Sequence, residues 1–273
     1  MTINRRKFLK TGLLSAIGAI FIDALWLEKF FIEIKEFYIG SASKESSNLK
    51  VIQISDLHIK SLNFQLRSLS EEINKLNPDL LLITGDAIDD STNLSLLGKF
   101  LQLIKYDIKK VAVLGNWEYW GNVDIDELTH LYNKNNCSLL INESIQLSFK
   151  DKTISVTGID DYIGGNSDIA TALLSYKPSD FHLILNHCPQ YADTISEYIT
   201  DGNDSGAIIF SGHTHGGQIN LFGWIPFLPP GSGNYVKGWY ETGKSKMYVS
   251  KGIGTSLIPV RFFARAEAIV FYF

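Results

Sequence analysis

The sequence predicts an α/β fold, with one substantial domain at residues 31–273 behind a basic, apolar leader at residues 1–30. Three observations predict it. Short β-branched or Leu-rich runs recur, each ended abruptly by a polar motif. Amphipathic stretches with helical spacing separate the early runs. No repeat, low-complexity tract or linker interrupts the 273 residues, a length that can bury one large core.

In chain order, the leader comes first. Arg5, Arg6, Lys7 and Lys10 precede an apolar stretch from Gly12 to Trp26, broken only by Asp23, which is the layout of an export signal or signal anchor. The run Asn4-Arg5-Arg6-Lys7-Phe8-Leu9-Lys10 resembles the twin-arginine export motif, whose pathway moves folded proteins. An ordinary basic n-region or a plain anchor is the blander reading. The apolar stretch falls short of the ~20 residues a spanning helix needs. The small-x-small candidate Ser41-Ala42-Ser43 comes late for cleavage. Cytoplasmic retention of the positive charges puts the main domain outside the cytoplasmic membrane. An exported soluble protein and a protein on the cytoplasmic face are the alternatives.

Ile32 to Lys35 alternates as an edge strand, and Ser41 to Asn48 is a polar turn. Val51 to Ile54 ends in Ser55-Asp56-Leu57-His58, Leu80 to Thr84 in Gly85-Asp86, and Val111 to Leu114 in Gly115-Asn116. His182 to Leu185 ends in Asn186-His187, and Ala207 to Phe210 in Ser211-Gly212-His213. Helices are expected at Phe64 to Leu76, Leu94 to Ile108 and Asp124 to Lys134, with late strands at Met247 to Ser250 and Ala268 to Phe273. Strand and helix in alternation give βαβ units, and ligands gather outside the carboxyl ends of such strands. Five strand ends deliver five polar motifs.

Composition narrows the partners. A net charge of −4 with thinly spread Lys and Arg offers no field for a polyphosphate backbone, which argues against nucleic acid. Cys137 and Cys188 are too few for a disulfide framework and read as buried thiols.

Four of the six histidines sit at the strand ends. Imidazoles mixed with carboxylates and an amide oxygen suit Mn, Fe or Zn, and the absence of Cys from the set speaks against a structural zinc site. A lone His58 would read as a hydrogen-bonded surface residue; seven donors at five strand ends read as a metal centre. His130 and His182 read as structural, Asp160 and Asp161 as loop-positioning, and Cys188 as packing. Arg261 reads as a surface salt bridge or a contact to a substrate phosphate.

The order Asp-x-His, Gly-Asp, Gly-Asn, His, Gly-His-x-His resembles the calcineurin-like metallophosphoesterase superfamily, from about Leu49 to the C-terminus. The likeness is closest to small bacterial phosphodiesterases with a basic, apolar leader and a Gly-His-Thr-His-Gly-Gly-Gln signature. Leu140-Ile141-Asn142-Glu143, Gly158-Ile159-Asp160-Asp161 and Val249-Ser250-Lys251-Gly252-Ile253-Gly254 add local matches. The resemblance implies a four-layer α/β/β/α sandwich with two central sheets. It implies one divalent ion on Asp56, His58 and His215, a second on Asn116, His187 and His213, and Asp86 bridging both. Asp86, Asn116 and His213 would then stand at the catalytic centre. Two such ions ~3.5–4 Å apart share a hydroxide, lower its pKa and clamp the phosphoryl oxygens.

The superfamily usually has His after Gly-Asn, where it helps to protonate the leaving group; this chain has Trp117, which cannot transfer a proton at neutral pH. The expectation is a metal-dependent phosphodiesterase acting on a lipid or envelope phosphoester. One alternative is a UDP-2,3-diacylglucosamine pyrophosphatase of lipid A synthesis; another, of a different class, is a non-catalytic metal-binding envelope module. Leu221, Phe222, Trp224, Ile225, Phe227 and Leu228 cluster among Gly and Pro soon after the last histidines. Exposed, such a loop would meet lipid or a membrane surface; the plainer alternative folds it into the core.

Overall fold

The apolar runs sort into strands whose alternate residues serve two different cores. In the computed structural model, the residues described are 4–22, 28, 31–40, 42, 49–199, 206–221, 223–256 and 258–273. The strands in chain order are β1 (Glu33–Tyr38), β2 (Lys50–Ile54), β3 (Leu80–Thr84), β4 (Lys109–Val113), β5 (Cys137–Leu139) and β6 (Glu143–Phe149). They continue with β7 (Lys152–Gly158), β8 (Phe181–Leu185), β9 (Ile208–Ser211), β10 (Gly238–Thr242), β11 (Ser245–Val249) and β12 (Glu267–Tyr272). The helices are α1 (Arg5–Ile22), α2 (Phe64–Leu76), α3 (Leu94–Leu103), α4 (Asn116–Trp120), α5 (Ile125–Lys134), α6 (Ile169–Leu173) and α7 (Ala192–Tyr198).

Two six-stranded sheets form, in the orders β1-β12-β2-β3-β4-β5 and β10-β11-β9-β8-β7-β6. The run β2-β3-β4-β5 is parallel, as is β7-β8-β9-β11. Antiparallel pairing joins β12 to β2, β6 to β7 and β10 to β11. Val51, Leu80, Leu82, Val111 and Val113 face Leu183, Leu185, Ile208 and Phe210 between the sheets. Ile52, Leu81, Ile83 and Ala112 face the other way, against Leu69 and Ile73 of α2, Phe100 of α3 and Leu128 of α5. On the far side of the second sheet, Ile184 and Ile209 meet Ile169 of α6 and Ile195 of α7. Four layers, α/β/β/α, result as expected, because strands that present apolar residues to both faces need cover on both.

The helix starts follow local chemistry: the Asn63 side chain accepts from Leu66 N–H, and Asp124 accepts from Glu127 N–H. The second stretch departs from expectation. Its periodicity runs to Ile108, yet α3 stops at Leu103, where Ile104 turns extended and the chain enters β4. The edge strand β1 begins at Glu33 and runs on to Tyr38, pairing with β12 over six residues.

Among the described residues, no helix is long and apolar enough to cross a membrane. The leader residues 23–27 and most of the turn Ser41 to Asn48 lie outside the described residues. The junction after the leader belongs to the domain. Glu28 accepts through its carbonyl from Ala266 N–H and through its carboxylate from Ala264 N–H, both at 3.0 Å. Lys35 meets the fully buried Glu267 at 2.8 Å, and Lys251 meets it at 3.2 Å. A cut at Ser41-Ala42-Ser43 would therefore remove β1 from the sheet, leaving Glu267 with one ammonium partner fewer.

Candidate metal centre

Because β2, β3 and β4 run parallel in one sheet and β8 and β9 in the other, their carboxyl ends deliver five loops to one place. The sheets are tied there. Gln53 Nε2 donates to the Ser211 carbonyl at 3.0 Å, and His213 N–H to the Asp56 carboxylate at 3.0 Å. Asp56, His58, Asp86, Asn116, His187, His213 and His215 are all buried. Asp56, His58 and His215 place one ligand atom each within 4.8 Å of one another, as do Asp56, Asp86 and His187. His187 and His213 also group with Cys188. Asn116 lines the same pocket as Asp86, His213 and His215.

The backbone pays for this convergence. Asp56, His58, Asp86, His213 and His215 all have positive φ, between 43° and 70°. Such left-handed residues carry about 1–3 kcal/mol of strain each and persist where surrounding contacts enforce them. Two glycines make the approach possible. A Cβ on Gly85, itself at φ 85°, would lie 2.3 Å from His187 Nδ1, and one on Gly115 would lie 2.2 Å from Asp86 Oδ1.

The nitrogens of three histidines are assigned by their partners. His58 Nδ1 binds Asp89 Oδ1 in a very short contact, His187 Nδ1 lies 2.7 Å from the Thr84 carbonyl, and His213 Nε2 lies 2.7 Å from the Pro230 carbonyl. Those acceptors require N–H there, so the lone pairs fall on His58 Nε2, His187 Nε2 and His213 Nδ1. His187 Nε2 stands 3.2 Å from Asp86 Oδ2 without hydrogen-bond geometry, and Asn116 Oδ1 is buried with no hydrogen-bond partner. A buried acceptor left unmatched costs about 1–3 kcal/mol, which a cation removes. The donor set fits divalent metal ions.

Electrostatics points the same way. Burial alone would raise the Asp86 carboxyl, but the charges of His187 and His58 and the Trp117 N–H hold it below the usual carboxylate range. Burial and the Asp86 charge push Asp56 up. Burial opposes the charged forms of His58 and His187, yet their carboxylate neighbours raise both. Burial lowers His213 and His215, helped by His187 and His58 respectively.

Two carboxylates that sequence reasoning missed hold the site in place. Glu118 accepts from the N–H groups of Gly115, Asp86, Ala87 and Ile88, pinning two strand-end loops together. Burial and the Asp86 charge push its carboxyl up to about 8, and the N–H groups pull the other way. Asp89 orients His58 and takes an ion pair from Lys60 at 2.8 Å. The available signal was a second acidic residue within three positions of each motif: Asp89 after Asp86, and Glu118 after Asn116.

Arg261 corrects expectation. It is fully buried and donates to the carbonyls of Gly254, Lys251 and Ala264, so it forms neither a surface salt bridge nor a substrate contact; Nη2 lies 3.4 Å from His215 Nδ1. Both cysteines are free and buried. Burial and the adjacent Asp161, to which Cys188 Sγ donates at 3.2 Å, raise the Cys188 thiol well above its usual value. Asp160 and Asp161 do position a loop, accepting from Asn166, Ile163 and Gly164 N–H groups. His182 bonds Thr157 inside the fold. Leu221, Trp224 and Phe227 are exposed rather than folded into the core, and Ile225 and Leu228 are half-buried; Phe222 lies outside the described residues.

If Asp89 sets the ring of His58, Asp89→Ala should weaken metal binding about 10- to 100-fold with little change in fold. Titration of the metal against a chelating dye, with circular dichroism alongside, measures both.

The calcineurin-like phosphoesterase family profile matches residues 49–217. The chain is similar to the uncharacterized metallophosphoesterase YkuE of Bacillus subtilis, 30% identical over 98% of this chain and 97% of that protein. An uncharacterized metallophosphoesterase of Helicobacter pylori is also 30% identical, over 97% of this chain and 71% of its own length. Among solved structures, GAP50, the anchor in the inner membrane complex of Plasmodium, shares the fold. Its TM-score is 0.50 at 13% identity, over 81% of this chain and 80% of that one. The chain belongs to the calcineurin-like metallophosphoesterases and is a metal-dependent phosphoric ester hydrolase.

Proposed function

We propose that this chain is a dinuclear phosphodiesterase acting on a lipid or envelope phosphoester. Asp56, His58 and His215 would hold one divalent ion and Asn116, His187 and His213 the other, with Asp86 available to both. The observation that carries the reading is the ring assignment. Three imidazoles each have one nitrogen committed to a carboxylate or carbonyl, which leaves the other for a metal; His58 Nε2 lies 3.2 Å from His215 Nε2 and His187 Nε2 lies 3.2 Å from Asp86 Oδ2, beside the unpartnered Asn116 Oδ1. Mn, Fe or Zn suits this mixture of nitrogen and oxygen donors.

When bound, such ions supply Lewis-acid activation of water and of the phosphoryl group. The chain's own residues do the rest. Asp86, kept ionised by its imidazole neighbours, would supply negative charge to both ions. Asn116 turns its amide oxygen to the centre and leaves its N–H₂ to donate to a phosphoryl oxygen. His213 is fixed by Pro230 with its Nδ1 lone pair inward. Trp117 packs edge-on at 5.9 Å from the His58 ring, at the position where the superfamily pattern usually has His, and no proton can come from it.

The leader reading is an anchor or twin-arginine signal that places the domain outside the cytoplasmic membrane. Retention of Glu28 and β1 in the domain supports a mature chain not cut after Ala42.

Three measurements test these points. With Mn²⁺ and an activated aryl phosphodiester, Asp86→Ala should fall below about a tenth of wild-type turnover, and retention above that contradicts the two-ion reading. Wild-type rates should drop steeply as leaving-group pKa rises, and Trp117→His should raise alkyl phosphodiester hydrolysis selectively, within the ~100- to 10,000-fold of a general acid. A flat dependence would assign the acid elsewhere. Changing Arg5 and Arg6 to Lys should retain the protein in the cytoplasm on fractionation; unchanged location would favour a plain anchor.

A further inference from the structure

The centre opens into a pocket of about 510 Å³, within the roughly 300–1,000 Å³ of small-molecule sites. Its two ends differ in chemistry. Asp86, Asn116, His213 and His215 make the polar end. Trp117, Trp120, Ile219, Pro226, Phe227 and Ile258 make the walls. Among the described residues, no lysine or arginine lines the pocket.

Two polar wall side chains, Gln218 and Thr214, are already engaged, which leaves the Ser256 hydroxyl. Gln218 donates to the Ile258 carbonyl at 2.6 Å and accepts from Ser256 N–H at 3.3 Å, and the Thr214 hydroxyl donates to the Val236 carbonyl at 2.6 Å. A base or sugar placed here would lose water and gain few partners, an unfavourable exchange. An apolar chain has the opposite balance. Trp117 and Trp120 pack edge-to-face at 5.7 Å, and Trp117 also touches His58, so the aromatic wall starts at the metal centre itself. Trp120, Phe227 and Ile258 are 53%, 66% and 53% exposed, apolar surface without cover beside the polar end.

We infer that this pocket seats an apolar chain esterified to the phosphate under attack, so that the substrate class is alkyl phosphoesters rather than nucleotides or sugar phosphates. The inference rests on the phosphodiesterase reading above. Continuity between walls and polar end assigns the chain to the substrate itself and not to bilayer hydrocarbon.

The test uses the full-length protein loaded with Mn²⁺ and two homologous series, ethyl to octyl. Binding of n-alkylphosphonates by calorimetry should tighten about fourfold per methylene, equivalent to ~0.8 kcal/mol, until the pocket is full. It should carry a negative heat-capacity change. The kcat/KM for n-alkyl 4-nitrophenyl phosphodiesters should rise in parallel. Trp120→Ala combined with Ile258→Ser should reduce the increment below about twofold while melting near the wild-type temperature. Tyr106→Ser, an exposed aromatic ahead of the amino end of β4, should keep the full series. Affinity that does not change with chain length overturns the inference, whatever the turnover. An effect seen only with phosphatidylglycerol vesicles present assigns the chain to the bilayer and also overturns it. Chain-dependent binding without any turnover upholds the subsite and overturns the phosphodiesterase reading instead.

Discussion

Everything at the centre depends on two carboxylates, Asp56 and Asp86, buried on adjacent loops with both too deep for water to screen. Charges in such a place must be matched by opposite charge or be lost to protonation. His187 Nε2 stands 3.2 Å from Asp86, and His58 Nε2 stands 3.7 Å from it. The protein has in effect stored negative charge where only a few rings can answer it. That explains why the histidines are so tightly aimed. Each must face the carboxylates, and each is held from behind by Asp89, Thr84 or Pro230.

Rigidity of the loops is the second requirement, and hydrogen bonds to main-chain groups supply it. Glu118 gathers four N–H groups from two loops, and the Asp56 carboxylate takes the His213 N–H from the opposite sheet. These contacts stabilise left-handed backbones that would otherwise relax. The site is therefore preorganised by the fold, with strain offset by these main-chain hydrogen bonds. Outside that network the chemistry changes within one residue: Asn116 belongs to the polar end, and Trp117 begins an apolar wall.

Much of this was legible in the sequence because strand and ligand are adjacent there. A run such as Leu80 to Thr84, buried at every position, could be only an interior strand, and Gly85-Asp86 had to follow at its end. The hairpin of β6 and β7 was harder to see. β6 is a sheet edge, and although Ile145, Leu147 and Phe149 alternate with polar residues, the strand ends in the turn Lys150-Asp151 and not in a ligand motif. Asp89 and Glu118 lie beside motifs but act across the fold on partners some thirty residues away, a relation that spacing alone does not encode. Arg261 misled for a related reason: a guanidinium usually sits at the surface, and only the three carbonyls converging on it allow its burial.

The place of β12 carries a consequence for synthesis. The strand Glu267–Tyr272 lies between β1 and β2, pairing with Lys35 and its neighbours on one side and with Val51 to Gln53 on the other. While the ribosome is still making the second sheet, β2 has β3 beside it but an open edge where β12 belongs. Pairings across so many residues form late, since a long loop must close first. The first sheet thus cannot finish until translation has delivered the final strand, and the nascent chain must shield an apolar edge until then.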